Sequence, residues 1–330
     1  MEFVPLIKQY RGGYHECTHY GNICIVDENG IRFSAGDPDW YSFYRSASKP
    51  IQSLPTIMEG LHEKYGLTDA ETAIFSGSHW GEQYHVQLLE SICQKTGLRE
   101  EDMIMDPTYP LNNEEKTRLI RNGQSPRKIY HNCSGKHLSL MLLSRELGED
   151  VKDYWKIESK AQGRILEVIS KMTDTSIANI RIGVDGCGVP VYSVPIRAIA
   201  LSFLRLACPD LIKDSSLALA VKTNREFIGK NSRVLDGEKG PCAILSRTGD
   251  LITKAGALGV HGFGCASGRF GGVVKISDGN DQKSAFATMC VLEKLGFSDK
   301  EVLKDLKKVL PSDIYNDNKI HVGYQEFIGM

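Results

Sequence analysis

The sequence predicts an α+β fold: an antiparallel sheet built from the N- and C-terminal segments, packed with helices, with a mainly helical subdomain inserted between them. Three observations predict it. Short β-branched and aromatic runs separated by turn signals fill the first 36 residues. Apolar residues at helical spacing dominate the middle of the chain. Strand-like runs then return towards the C-terminus. One domain over 1–330 is expected, with sheet in about 1–45 and 230–330 and helices in about 46–229. The candidate site lies where the two parts meet.

The elements follow in order. Residues 4–10 read as a strand that ends at the turn signal Arg11-Gly12-Gly13. Residues 22–26 and 31–34 flank Asp27-Glu28-Asn29-Gly30, where Asn-Gly is a strong hairpin cue. Gly36-Asp37-Pro38 closes that hairpin. A helix is expected over about 49–65, kinked at Pro55. Val86, Leu89, Cys93 and Thr96 share one face of another. Residues 138–147 are apolar nearly all round, the mark of a buried helix. Ala161, Ile165, Val168, Ile169 and Met172 keep helical spacing, as do Ile196, Ile199, Ala200, Phe203 and Ala207 after Pro195. Residues 217–227 form a further helix. Residues 180–184 read as a strand. Residues 243–246 and 251–254 read as a hairpin around Arg247-Thr248-Gly249-Asp250, and 271–276 as another strand. Helices over 282–295 and 300–309 come last.

Composition narrows the function classes. Apolar content of 41% and charged content of 25% are those of a soluble globular protein. With 40 basic against 41 acidic residues, no charge excess points to nucleic acid or an anionic membrane. The N-terminus has no charged region followed by an apolar run, and no stretch is long and apolar enough to span a bilayer. Nine cysteines, an odd number without paired spacing, argue for reduced thiols and a cytoplasmic location.

Five stretches carry chemistry. Arg45-Ser46-Ala47-Ser48-Lys49-Pro50 holds a Ser-x-x-Lys pair. On a helix, residues three apart share a face, so the Ser46 hydroxyl and the Lys49 amine can meet. A neutral amine in a desolvated site activates a serine, and a helix start favours a developing oxyanion. Ser76-Gly77-Ser78-His79-Trp80-Gly81-Glu82 is a small, Gly-rich loop before a helix, suited to presenting Ser78. His131-Asn132-Cys133-Ser134-Gly135-Lys136-His137 is the densest reactive cluster, and its spacing suggests Cys133 and His137 as metal ligands. Asp185-Gly186-Cys187-Gly188-Val189-Pro190 is a glycine-flanked turn whose Cys187 would complete a thiolate site with Cys133. Lys254, ahead of Ala255-Gly256, stands at a strand end and would face the helix bearing Ser46.

Taken together, these motifs resemble the Rhizobium-type (class 3, thermolabile) L-asparaginases, across essentially the whole chain. The resemblance rests on the ordered set Arg11-Gly12-Gly13, Gly36-Asp37-Pro38, Arg45-Ser46, Ser48-Lys49-Pro50, Ser78-His79, Gly81-Glu82, His85, Asn132 to His137, Asp185 to Pro190, Lys254 and Gly256. It implies a fold like that of serine β-lactamases, penicillin-binding proteins and serine-dependent glutaminases. It implies two Ser-Lys pairs, Ser46 with Lys49 and Ser78 with Lys254, and a zinc held by Cys133, Lys136 and Cys187 in place of the His137 that spacing suggests. Leu258 stands where the pattern is often acidic.

The expected reaction is hydrolysis of L-asparagine to L-aspartate and ammonia through a serine acyl-enzyme. Asp185 would meet the substrate α-ammonium and Arg45 its α-carboxylate, with His137 binding or orienting. Zinc would position substrate or brace the pocket rather than generate the nucleophile. A cytoplasmic homodimer is expected, with no nucleic-acid or membrane partner. A serine-dependent glutaminase and a non-catalytic, zinc-dependent amino-acid-binding protein of the same fold are the alternatives. A β-lactam-directed role is disfavoured, because the Ser-Asp-Asn and Lys-Thr-Gly motifs are missing.

Overall fold

The computed structural model describes residues 3–330. Its strands are β1 (Val4–Arg11), β2 (Tyr14–Asp27), β3 (Gly30–Ala35), β4 (Tyr41–Phe43), β5 (Arg181–Val184), β6 (Pro190–Pro195), β7 (Leu251–Gly256), β8 (Val260–Cys265), β9 (Phe270–Ile276), β10 (Asp313–Tyr315) and β11 (His321–Phe327). The main sheet is antiparallel in the order β10-β11-β1-β2-β9-β8-β7, with β3 also on β2. The long β2 divides its partners: residues up to Gly21 pair with β1, and those beyond lie between β3 and β9.

Both faces of this sheet are covered. Cys24 and Val26 join one core with the helix Ile196–Ala207, while Ile23 and Ile25 join another with the helix Asp281–Lys294. Strand side chains alternate between faces, so burial on both sides gives the unbroken apolar run seen in the sequence. Each large side chain so buried stabilises by roughly 1.5–3 kcal/mol.

Two expectations need correction. The helix expected over 49–65 is three short ones, Lys49–Gln52, Leu54–Met58 and Leu61–Lys64. Pro55 falls in the first turn of the second, where its missing N–H costs nothing, and Gly60 at φ +65° ends that piece. Residues 243–246 are not a strand but part of the helix Pro241–Ser246. A short apolar run does not distinguish the two by periodicity; Pro241 at the helix start and the Asp236 carboxylate, accepting from the Cys242 and Ala243 N–H groups, decide for helix.

Strand β8 was not foreseen, because glycine is depleted in strands. Here it is required: a Cβ on Gly264 would lie 2.1 Å from the Phe203 carbonyl oxygen, so the helix Ile196–Ala207 rests directly on the strand backbone. The C-terminal β10 and β11 and the small sheet β4-β6-β5 were also not foreseen, apart from β5. β6 begins and ends in proline, which reads against a strand. The helix Ser134–Glu146 is buried from Ser134 through Ser144, as its composition requires. Among the described residues, no helix is long and apolar enough to cross a membrane.

Candidate active site

The Ser46 segment leaves β4 as a tight 3-10 turn, Arg45–Ser48, and continues as the helix Lys49–Gln52. Arg45 takes φ +50°, a left-handed conformation that is strained for a side chain with a Cβ. Lys49 is fully buried. Its Nζ lies 2.8 Å from the Gly77 carbonyl, 3.2 Å from the Asn132 carbonyl and 2.8 Å from Ser78 Oγ. This differs from the expected pairing of Lys49 with Ser46. A buried amine must satisfy its donors, and when charged it gives all three to these oxygens, away from Ser46. The Ser46 side chain has no hydrogen-bond partner among the described residues.

Ser78 is the meeting point of both amines. Lys254, on β7 and 1% exposed, places Nζ 2.8 Å from Ser78 Oγ and 2.9 Å from the Ala255 carbonyl. The backbone holds Ser78 in place through its N–H, 2.6 Å from the Leu235 carbonyl. His79 anchors the loop on the other side. Its Nδ1 accepts from the Gly81 N–H and its Nε2 lies 2.8 Å from Ser134 Oγ, whose proton goes to the Ile129 carbonyl. That fixes the Nε2–H tautomer, and burial holds His79 neutral, well below the usual imidazole range. Two residues past Lys254, a Cβ on Gly256 would sit 2.4 Å from the Tyr44 carbonyl and 3.0 Å from the Ala47 nitrogen. Glycine there lets β7 lie against the turn that carries Ser46.

Desolvation lowers the Lys49 pKa to about 8; Cys133 and Cys187 oppose the shift, Lys254 and Lys136 add to it. The neutral amine has two N–H groups and one lone pair. Two of its three neighbours are carbonyls, which only accept. The lone pair therefore faces the Ser78 hydroxyl, while Lys254 donates to the same oxygen. Ser78 Oγ is thus placed to pass a proton to Lys49.

Cys133, Lys136 and Cys187 come together. Lys136 Nζ is 3.1 Å from Cys187 Sγ, and the Cys133 thiol donates to Asn132 Oδ1 at 3.5 Å. The neighbouring Cys187 sulfur, with Lys49 and Lys136 nearby, pulls the Cys133 pKa well down against burial, while Cys133 and burial push Cys187 up. Burial disfavours a charged Lys136, yet the facing Cys187 and Cys133 outweigh it and raise its pKa. Two sulfurs and an amine converge here: the sulfurs are of the type zinc takes, and three donors leave a fourth position open. No cluster of three His, Cys, Asp or Glu side chains occurs among the described residues.

His137 is fully buried. Its Nδ1 lies 2.6 Å from the Tyr154 hydroxyl, which itself accepts from the Ile104 N–H. The hydroxyl proton therefore goes to Nδ1 and Nε2 carries hydrogen. That Nε2 is buried without a partner, a donor lacking an acceptor. Arg45 Nε is 2.8 Å from Asp185 Oδ1, so these two expected substrate contacts pair with each other. Leu258 sits in left-handed backbone (φ +63°) between β7 and β8, 58% exposed.

A cleft of about 340 Å³ reaches Ser46, Ser78, Asn132 and Lys254. Asp236 also lines it. Sequence reasoning missed Asp236, whose only signal is an acid following the apolar Val234-Leu235. Burial raises its pKa against the pull of Lys254 and its two N–H donors. Sequence reasoning also missed the Gly77 and Asn132 carbonyls, which no side-chain pattern announces. A more open groove of about 1000 Å³, lined by Lys222, Arg225 and Arg269, holds none of these residues.

The sequence model of the L-asparaginase II family matches residues 7–327. No curated protein matches in sequence. Among solved structures, Mglu matches at 13% identity over 84% of this chain and 68% of that one, with a TM-score of 0.44. This chain therefore spans about two thirds of the length of Mglu. A β-lactamase from Mycobacterium bovis matches at 13% identity over 83% of this chain and 94% of that one, TM-score 0.42. A probable glutaminase from Bacillus subtilis, complexed with 6-diazo-5-oxo-L-norleucine, matches at 14% identity over 84% and 85%, TM-score 0.36.

Proposed function

The chain belongs to the L-asparaginase II family, and from that premise we propose that it hydrolyses L-asparagine to L-aspartate and ammonia through a serine acyl-enzyme. The observation that carries the reading is the convergence of two buried amines, each 2.8 Å from Ser78 Oγ, in a cleft that also exposes Ser46. Ser46 Oγ attacks the side-chain amide carbon. Its proton passes to the Ser78 oxygen as the Ser78 proton passes to the neutral Lys49 amine. Lys254 Nζ, donating to the Ser78 oxygen, steadies negative charge there during transfer. The relay then runs backward: the amide nitrogen takes the proton, the C–N bond breaks and ammonia leaves. Water attacks the ester by the same route and frees Ser46.

Asp185 and Arg45, already paired, offer one carboxylate and one guanidinium to the α-ammonium and α-carboxylate. The orphaned His137 Nε2–H is a further donor for the carboxylate. Cys133, Lys136 and Cys187 would hold zinc, and bound there it supplies positive charge for orienting a substrate oxygen. A cytoplasmic homodimer belongs to the same reading.

Ammonia release tests it. Asparagine should exceed glutamine in kcat/KM by about 10–200-fold, the discrimination that one methylene allows. Equal values would make the enzyme a glutaminase, and turnover of neither would leave a binding protein. A second mechanistic reading makes Ser78 the nucleophile, favoured by its two amine contacts. Peptide mass spectrometry of enzyme quenched with substrate distinguishes the serines, and the aspartyl adduct is expected on Ser46.

A further inference from the structure

We propose that the cleft beyond the two serines is a leaving-group subsite, and that the enzyme also hydrolyses asparagine derivatives whose side-chain amide nitrogen carries an apolar group. The inference rests on the amide-hydrolysis reading above. Ammonia is about the size of water, which occupies about 30 Å³ in the liquid. The cleft holds about 340 Å³. Its wall beyond the reacting groups carries the apolar side chains of Trp80, Leu111, Pro241, Ala285, Val309 and Leu310, interleaved with Lys239, His261 and Gln282. Departing ammonia needs neither that volume nor that chemistry.

Position gives the space its role. Arg45, Asp185, Cys133, Lys136 and Cys187 do not line this cleft. The α-groups of the substrate, held by Arg45 and Asp185, therefore leave it to whatever departs with the nitrogen. Leu111 is 58% exposed and Val309 36%, and both turn apolar surface into a cavity continuous with the catalytic hydroxyls. An apolar substituent would remove that surface from water.

The polar groups of the wall set the class further. The Asp236 carboxylate is taken by the Cys242 and Ala243 N–H groups, and Asp281 Oδ1 accepts from the Gly259 N–H. Lys239 and Lys254 stand in the same wall as these two acids, so the lining carries no excess of negative charge to draw a cationic group, and its apolar side chains favour an uncharged one. The chemistry is that of the parent reaction. The serine oxygen bonds to the amide carbon, the C–N bond breaks, and the departing amine takes the proton relayed through Ser78. Water then cleaves the ester to aspartate.

The probe is L-aspartic acid β-anilide, with aniline and ammonia release measured side by side on the whole protein. The anilide should be cleaved with kcat/KM within about tenfold of asparagine. Leu111→Glu and Val309→Glu replace partly exposed rim residues. Each should lower kcat/KM for the anilide by about tenfold while leaving asparagine within about twofold. Cleavage of asparagine without the anilide overturns the subsite, as does an equal effect of the variants on both substrates. Cleavage of the anilide alone keeps the subsite and removes asparagine as the substrate. Cleavage of neither ends both readings.

Discussion

At Lys49 a fully buried amine is met by two carbonyls and one hydroxyl, and its protonation decides whether Ser78 has anywhere to send a proton. The groups facing it are Cys133, Lys254, Lys136 and Cys187, and burial sets its pKa near 8. Below that value the amine is charged and cannot accept; above it the lone pair is free. The kcat should therefore rise with pH through about 8, and a rate that falls across that range would remove Lys49 as the base. Lys49→Met should lower kcat by about 10²–10⁴-fold while the protein stays folded by circular dichroism, since the change removes a buried charge. The residue types of this site were legible in the sequence, because Ser-x-x-Lys and Cys-rich motifs name their members. The pairing was not. Spacing along one helix turn puts Lys49 near Ser46, but spacing does not reveal that Gly77 and Asn132, from other segments, compete for the same amine.

The helix Ile196–Ala207 was legible from its own periodicity, and the strand on which it rests was not. Strand propensity describes a side chain packing on a pleated surface, whereas Gly262 and Gly264 of β8 serve by having no side chain. Gly264→Val should overpack this contact and cost about 1–3 kcal/mol or more, read as a lower urea midpoint at unchanged slope. A midpoint equal to that of the parent would mean that the helix stands off the strand. The segment 241–246 shows the opposite failure. Its apolar run suits strand or helix equally, and the deciding group, the Asp236 carboxylate, precedes the segment and caps it.

Across the whole molecule, the sheet was legible as two terminal contributions, but its closing strands β10 and β11 were not, since neither carries a continuous apolar face. Cys133 and Cys187 lie 54 residues apart and meet only in the fold. Zinc binding must displace a proton from Lys136, whose pKa is raised, so affinity should weaken as pH falls. Titration with a competing chelator at two pH values checks this, and Cys187→Ser should lower bound zinc per chain. Chelation should raise KM for asparagine yet leave measurable turnover at saturation; complete loss, restored by zinc, would give the metal a catalytic part. Ser78 and Lys254 are separated by 176 positions, and β7 reaches the sheet only through β8 and β9. Ser78 is held by the Leu235 carbonyl and Lys49 by that of Asn132, so a nascent chain emerging N-terminus first has Ser46, Lys49 and Ser78 in hand early but can fix them in place only when the late segments arrive. The relay proposed above would therefore be incomplete throughout most of translation, and competence would come only after the late strands have docked.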